Sequence, residues 1–304
     1  MFERSVFADA VSTYEDARFV IFGVPFDATS SFRRGSADAP DAMRKASYNF
    51  ETYNDFYGID LADIPTHDLG NLDLAYLDLG RGLDDMLCMT GDAVRGVIRD
   101  SKVPIVLGGE HTLTYGCTRA FSEVYDDIGI IILDAHLDLR DEYLGAKQSH
   151  ACVSRNIIDD LTDRCVLIGV RSGSAEEYRY ARENGIMWHS ADEVSDASME
   201  PVMGQAIAAL SDHGARRIYL SIDADVIDPG YAPGVGNPEP FGLDPRDLRA
   251  AIRMVAPHVC GFDIVEISPG YDHGESVILG ARLVREFIAA KSTRQKVGGG
   301  LRVR

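Results

Sequence analysis

Gly129-Ile130-Ile131-Ile132-Leu133-Asp134-Ala135-His136-Leu137-Asp138 is the stretch that decides how this chain reads. Its first half is apolar throughout, as in a parallel strand covered on both faces; a strand with one face in water alternates instead. Its second half carries acidic and imidazole groups at every other residue. Successive side chains of an extended chain point to opposite sides, so Asp134, His136 and Asp138 can converge on one point at the strand's carboxyl end.

Two more strand ends share this character. The run 219–222 leads into Asp223-Ala224-Asp225, and Ile105-Val106-Leu107 leads into Gly108-Gly109-Glu110-His111. In doubly wound sheets ligands bind just outside the carboxyl ends of the strands, where all three motifs fall. Four carboxylates (Asp134, Asp138, Asp223, Asp225) and two imidazoles (His111, His136) cannot gather at buried strand ends unless cations neutralise them. The set is too large for one ion and contains no thiolate. Oxygen-rich coordination with some imidazole suits Mn²⁺ over zinc, and shared carboxylates would hold two ions roughly 3.5–4 Å apart across a bridging water. The expectation is two Mn²⁺ per chain. Any one of these aspartates alone would read as a turn or helix cap; their joint occurrence points to metal. His67, His189, His213 and His258 have no acidic array beside them and read as surface or satisfied polar residues.

Working outward, short apolar runs recur at 19–24, 64–68, 104–107, 128–134, 165–170, 186–188, 217–223 and 260–267. Helical periodicity is clearest over 84–100, 114–124, 198–213, 244–255 and 274–290, with Asp244-Pro245 as a start signal. Together they predict an α/β fold: three α/β/α layers around a single, mostly parallel sheet of about eight strands. No linker, charge block or internal repeat divides the chain, so 1–304 reads as one domain. The basic tail 291–304 is expected either to fray or to pack against a neighbouring subunit.

Composition narrows the function classes. The 304 residues are 45% hydrophobic and 26% charged, with no apolar run near the roughly 18 residues a membrane span needs. Thirty basic against 48 acidic residues leave a net charge of -18, which argues against a nucleic-acid surface and favours a cationic substrate. Five cysteines, an odd number with no CxxC pair, give neither a disulfide framework nor a zinc knuckle and suit a reducing cytoplasm. Residues 1–10 lack the basic start and apolar stretch of a secretory signal, so a cytoplasmic protein is expected.

Five ordered motifs run almost the length of the chain. They begin with Gly23-Val24-Pro25-Phe26-Asp27, with Arg34-Gly35 and Pro40 behind it, followed by Gly108-Gly109-Glu110-His111 and Asp134-Ala135-His136-Leu137-Asp138. Ser221-Ile222-Asp223-Ala224-Asp225-Val226-Ile227-Asp228-Pro229 and the closing Glu266-Ile267-Ser268-Pro269 complete the series. In these the chain resembles the ureohydrolases, the arginase/agmatinase family of dinuclear manganese hydrolases. The resemblance implies one Mn²⁺ on His111, Asp134, Asp138 and Asp223, and the other on Asp134, His136, Asp223 and Asp225. It also implies that Glu266 grips the substrate guanidinium, by the parallel N–H bonds a carboxylate can accept. It makes His150 the proton shuttle to the leaving amine, with Asp138 sharing the proton handling. Family members are commonly trimers or hexamers, so a homo-oligomer is implied.

Departures fall at Glu110 and Thr112, where the family commonly has Asp and Ser, and at Val235 and Asn237, in a loop often written with two threonines. The second pair bears on the shape of the substrate pocket, and Asn237 is a candidate substrate contact. Agmatine, cleaved to putrescine and urea, is the implied substrate. Acidic Asp141 and Glu142 in the loop after the first metal array suit its terminal ammonium, and Asp141 is the candidate contact. Arg140 and Lys147 point the other way, to a guanidino acid such as guanidinobutyrate. Arginine or guanidine, a one-zinc amide hydrolase of the deacetylase type, and a non-catalytic metal-binding homologue complete the alternatives.

Overall fold

The computed structural model describes residues 6–74 and 82–293. In chain order the elements are β1 (Phe19–Val24), α1 (Ala39–Ser47), β2 (Tyr53–Asn54), β3 (Ile59–Asp60), β4 (Thr66–Asn71), α2 (Gly82–Arg99) and β5 (Val103–Gly108). Next come α3 (Leu113–Ser122), β6 (Ile128–Leu133), α4 (Val153–Asp160), β7 (Cys165–Val170), α5 (Ala175–Glu183) and β8 (Met187–Ser190). The chain continues through α6 (Ala191–Ala197), α7 (Met199–Asp212), β9 (Arg217–Asp223), α8 (Pro245–Val255) and β10 (Val259–Val265) to α9 (Glu275–Ser292). From residue 294 onward the basic tail lies outside the described residues.

All eight apolar runs become strands of one sheet, in the order β4-β1-β5-β10-β9-β6-β7-β8, with every pair parallel. Strands β1, β6 and β7 are buried at every residue, whereas β4 at the edge alternates buried with half-buried positions. That edge strand begins two residues later than the apolar pattern suggests, because Ile64 caps a single 3-10 turn, Leu61–Asp63, ahead of it. The antiparallel pair β2–β3 was not anticipated.

Helices cover both faces. On one, Met43, Met203, Ile252 and Phe287 from α1, α7, α8 and α9 meet Phe19, Ile105, Ile131 and Phe262 of the sheet. On the other, Met86, Val94, Phe121 and Ile157 from α2, α3 and α4 meet Phe22, Val106, Ile132 and Leu167. Each such fully buried side chain contributes roughly 1.5–3 kcal/mol. Four short helices, α1, α4, α5 and α6, escaped the periodicity reading. Two of them open on capping boxes, Ser174 with Glu177 and Ser190 with Glu193, which satisfy otherwise unpaired N–H groups. Helix α8 starts as read, with Asp244 as its cap and Pro245 in its first turn.

The edge strand is locked by charge. Arg44 of α1 and Asp68 of β4 are both fully buried and bonded twice, Nε to Oδ2 at 2.8 Å and Nη2 to Oδ1 at 3.0 Å. Among the described residues no helix is long and apolar enough to cross a membrane.

The four central strands β5, β10, β9 and β6 are neighbours, and all release their chains at the same edge. The loop after β1 closes onto that edge through the Glu110 N–H, which donates to the Phe26 carbonyl at 2.8 Å. Only glycine permits this approach at position 109, since a Cβ there would sit 2.0 Å from the same oxygen.

Candidate metal centre and active site

His111 follows β5, Asp134 follows β6, Asp223 ends β9 with Asp225 in the 3-10 turn behind it, and Glu266 follows β10. The sheet order therefore gathers residues far apart in sequence. His111 Nδ1 lies 3.0 Å from Asp134 Oδ2, 3.2 Å from Asp223 Oδ2 and 3.4 Å from Asp138 Oδ2. His136 Nδ1 lies 3.0 Å from Asp225 Oδ2 and 3.5 Å from Asp134 Oδ1. Two groups whose ligand atoms could hold an ion result, His111 with Asp134 and Asp223, and Asp134 with His136 and Asp225. Asp134 belongs to both.

Backbone hydrogen bonds aim these oxygens. Asp134 Oδ1 accepts from the His136 N–H at 2.6 Å, Asp223 Oδ1 from the Asp225 N–H at 2.8 Å, and Asp225 Oδ1 from the Ala135 N–H at 3.2 Å. Each aspartate thus anchors one oxygen in its own motif or its neighbour's and turns the other into the cluster. Behind the cluster the Ser221 hydroxyl donates to Asp263 at 2.6 Å, so its oxygen accepts from His111 Nε2 at 3.1 Å. That relay places the His111 proton on Nε2 and leaves a lone pair on Nδ1, the usual support for a ligating imidazole.

The fit to a cation rests on two orphans. His111 Nδ1 and Asp134 Oδ2 are buried without a hydrogen-bond partner despite their proximity. Buried polar atoms are almost always satisfied, and two acceptors aimed at one spot are what a cation demands. The demand also shows in proton affinities. Burial opposes the charged imidazoles, yet the surrounding carboxylates raise both His111 and His136 well above an ordinary histidine. Burial and then the charge of Asp134 push Asp138 up to about 7, and burial, then the charges of Asp225 and Asp134, raise Asp223 well above an ordinary carboxylate. Asp134 moves down although burial opposes it, because both imidazoles stand against it.

A cavity of about 450 Å³ opens over the cluster. Glu266 lines it with φ +64°, a left-handed backbone rare outside glycine, and Asp138 has φ +51°. Glu266 Oε1 accepts the His111 N–H at 2.7 Å. Burial, then the charge of Glu110, pushes Glu266 up to about 8. His150 reaches the same cavity from the 3-10 turn His150–Cys152, with Nδ1 3.2 Å from Thr29 Oγ1 and Nε2 3.3 Å from Ser31 Oγ. Burial, then the charges of His111 and His136, lowers it to about 4.

The model of the arginase family matches residues 17–290. The chain belongs to that family. It is similar to the agmatinase of Halalkalibacterium halodurans, 35% identical over 292 residues that cover 94% of this chain and 96% of that one. The N(1)-aminopropylagmatine ureohydrolase of Thermococcus kodakarensis is 35% identical over 263 residues, 84% of each chain. Among solved structures, the agmatine ureohydrolase of Thermoplasma volcanium superposes with a TM-score of 0.85 at 41% identity, covering 96% of this chain and 95% of that one.

Within this arginase-family frame the structure sorts the residues singled out in the sequence. His111, Asp134, His136, Asp138, Asp223 and Asp225 come together, and Glu266, His150 and Asn237 share the cavity wall with the cluster. Asp141 does not: it is absent from the wall, and its largely exposed carboxylate lies 3.8 Å from Lys147. From the same loop Arg140 and Tyr143 line the cavity in its place. Val235 also leaves the wall, buried in a bridge to Ile267.

Several wall residues escaped the sequence reading: Ser31, Ser172, Glu177 and Glu239. Glu177 had a legible signal, the Ser174-Ala175-Glu176-Glu177 capping box, but its second bond, accepting the Leu139 N–H at 3.1 Å, is tertiary. Glu239 had none. Its loop is held by Arg171, which donates to the carbonyls of Asp225, Val226, Glu239 and Pro240 and so ties the cavity wall to a cluster residue.

Proposed function

We propose that this protein hydrolyses agmatine to putrescine and urea at a pair of Mn²⁺ ions. One ion would be held by His111, Asp134, Asp138 and Asp223, the other by Asp134, His136, Asp223 and Asp225. The observation that carries the reading is Glu266 set beside the carboxylate–imidazole cluster at the foot of one cavity, in a chain similar to agmatinases over nearly its whole length. Bound there, two divalent ions would supply an activated water and Lewis-acid stabilisation of its oxygen.

The rest is the work of this chain's residues. Glu266 has one oxygen engaged by the His111 N–H, and its free lone pairs accept N–H groups of the planar guanidinium, which fixes the carbon over the cluster. Asp138, at the cluster's cavity side, holds the proton released in the attack. His150 delivers a proton to the departing amine, which is too basic to leave unprotonated. The net charge of -18 favours capture of a cation. The free cysteines suit a reducing cytoplasm, and a homo-oligomer is the expected form.

One observation favours a second substrate. Arg140 lines the cavity while Asp141 does not, and an inward guanidinium would suit the carboxylate of guanidinobutyrate. Arg140 is, however, 3.6 Å from Glu177, and Glu239 brings a further carboxylate to the wall, so a cationic tail remains the better match. The test is urea release from agmatine, guanidinobutyrate, arginine and guanidine by manganese-loaded protein, with metal counted per chain. Agmatine should give the highest kcat/KM at two ions per chain. An equal or better guanidinobutyrate value refutes the substrate, and full activity with a single tightly held zinc refutes the metal pair.

A further inference from the structure

The proposed proton shuttle is held by a chain of hydrogen bonds that starts at a buried carboxylate. Glu110 is fully buried, and its carboxylate collects donors from the 29–30 loop and from Thr112. The N–H groups of Thr29 and Ser30 donate to Oε2 at 2.7 and 3.0 Å, with the Ser30 hydroxyl at 3.4 Å. The hydroxyls of Thr29 and Thr112 donate to Oε1 at 2.7 and 2.9 Å. A carboxylate can only accept, so the single hydroxyl proton of Thr29 is committed to Glu110. The alternative acceptor, Thr112 Oγ1, is farther away at 3.3 Å.

With its proton placed, the Thr29 oxygen faces His150 as an acceptor. It lies 3.2 Å from the His150 backbone N–H and 3.2 Å from Nδ1. An oxygen that accepts from Nδ1 selects the tautomer protonated there and leaves Nε2 bare. Nε2 faces the Ser31 hydroxyl at 3.3 Å, and the Tyr143 ring, perpendicular at 5.7 Å, holds the imidazole plane.

We propose that Thr29, oriented by Glu110, is a positioning residue that fixes the His150 tautomer, so that Nε2 is the atom that takes up and gives the proton. The Glu110 carboxylate reaches the 29–30 loop with both of its oxygens. The inference rests on the reading of His150 as the proton carrier.

The test uses manganese-loaded protein and agmatine, with Thr29→Val, Thr29→Ser, His150→Asn and the double variant Thr29→Val/His150→Asn. Thr29→Val should lower kcat about tenfold or more with little change in KM and two ions retained, since it removes a hydrogen bond felt only in proton transfer. Thr29→Ser, which keeps the hydroxyl, should recover most of the rate. In the His150→Asn background Thr29→Val should cost nothing further, because residues that act through one another are not additive. A full loss in that background, or no rescue by serine, would show that Thr29 only supports the loop and overturns the proposal. Normal turnover by Thr29→Val with a slow His150→Asn enzyme overturns it alone. Normal turnover by His150→Asn overturns both it and the assigned role of His150. Thr29→Ala repeats the comparison should the valine variant not fold.

Discussion

Asp134→Asn isolates the central feature of the site, a carboxylate shared between two ions. Four aspartates supply four negative charges against the four positive charges of two divalent cations, and Asp134 is the member common to both ligand groups. The substitution preserves shape and removes one charge. It also places an amide between His111 Nδ1 at 3.0 Å and His136 Nδ1 at 3.5 Å, where its NH₂ cannot ligate. Losing a group that merely hydrogen-bonds a ligand costs about 10–100-fold in metal affinity. A ligand in both shells should cost each ion at least about 100-fold, or roughly 2.7 kcal/mol. His111→Ala is the comparison, since His111 enters one group only. Elemental analysis after dialysis against graded Mn²⁺ should find both ions weakened in Asp134→Asn and one in His111→Ala. Two full-affinity ions in Asp134→Asn, or identical losses in the two variants, would falsify the shared-ligand arrangement.

His150→Asn should keep both ions while kcat falls by roughly 10²–10⁴, the range of a general acid–base group. The same variant tests a pH effect. With its pKa lowered to about 4 by burial and by the charges of His111 and His136, folded His150 binds fewer protons than the unfolded chain does. Its stabilising contribution is therefore whole above pH about 6.5 and fades as pH falls toward 4, by up to about 3 kcal/mol. Urea unfolding should show wild type losing more stability than His150→Asn over that window; parallel curves would contradict the burial. Arg44→Ala strands Asp68 as a buried charge and should cost about 3–5 kcal/mol, with the metal sites intact. A loss below about 1 kcal/mol, the worth of a surface pair, would mean that water reaches the pair.

The sheet was legible because its information is local. Strands such as 128–133 and 165–170 are buried on both faces, so every residue must be apolar. The edge strand β4 was misplaced for the converse reason: its Asp68 and Asn71 are polar to meet Arg44 of α1, a partner no neighbouring residue reveals. The short helices α5 and α6 hid similarly, since seven to nine residues give too few turns for a periodic signal.

The ligand cluster was legible because acidic and imidazole side chains crowd the carboxyl ends of three apolar runs, and because buried carboxylates announce their need for cations; the extended alternation expected over 134–138 stops short of Asp138, whose backbone is left-handed. Sequence by itself therefore determined the layered α/β fold, the residues that could hold metal and the arginase family. Only the tertiary structure decided the cavity wall. It turned Arg140 inward and Asp141 outward, brought Glu239 beside Ser172, and set Glu110 under Thr29 to hold His150. Those contacts join loops tens to more than a hundred residues apart. Strand order decides which loops meet at the sheet edge, and strand order follows from how the whole chain packs its two apolar faces.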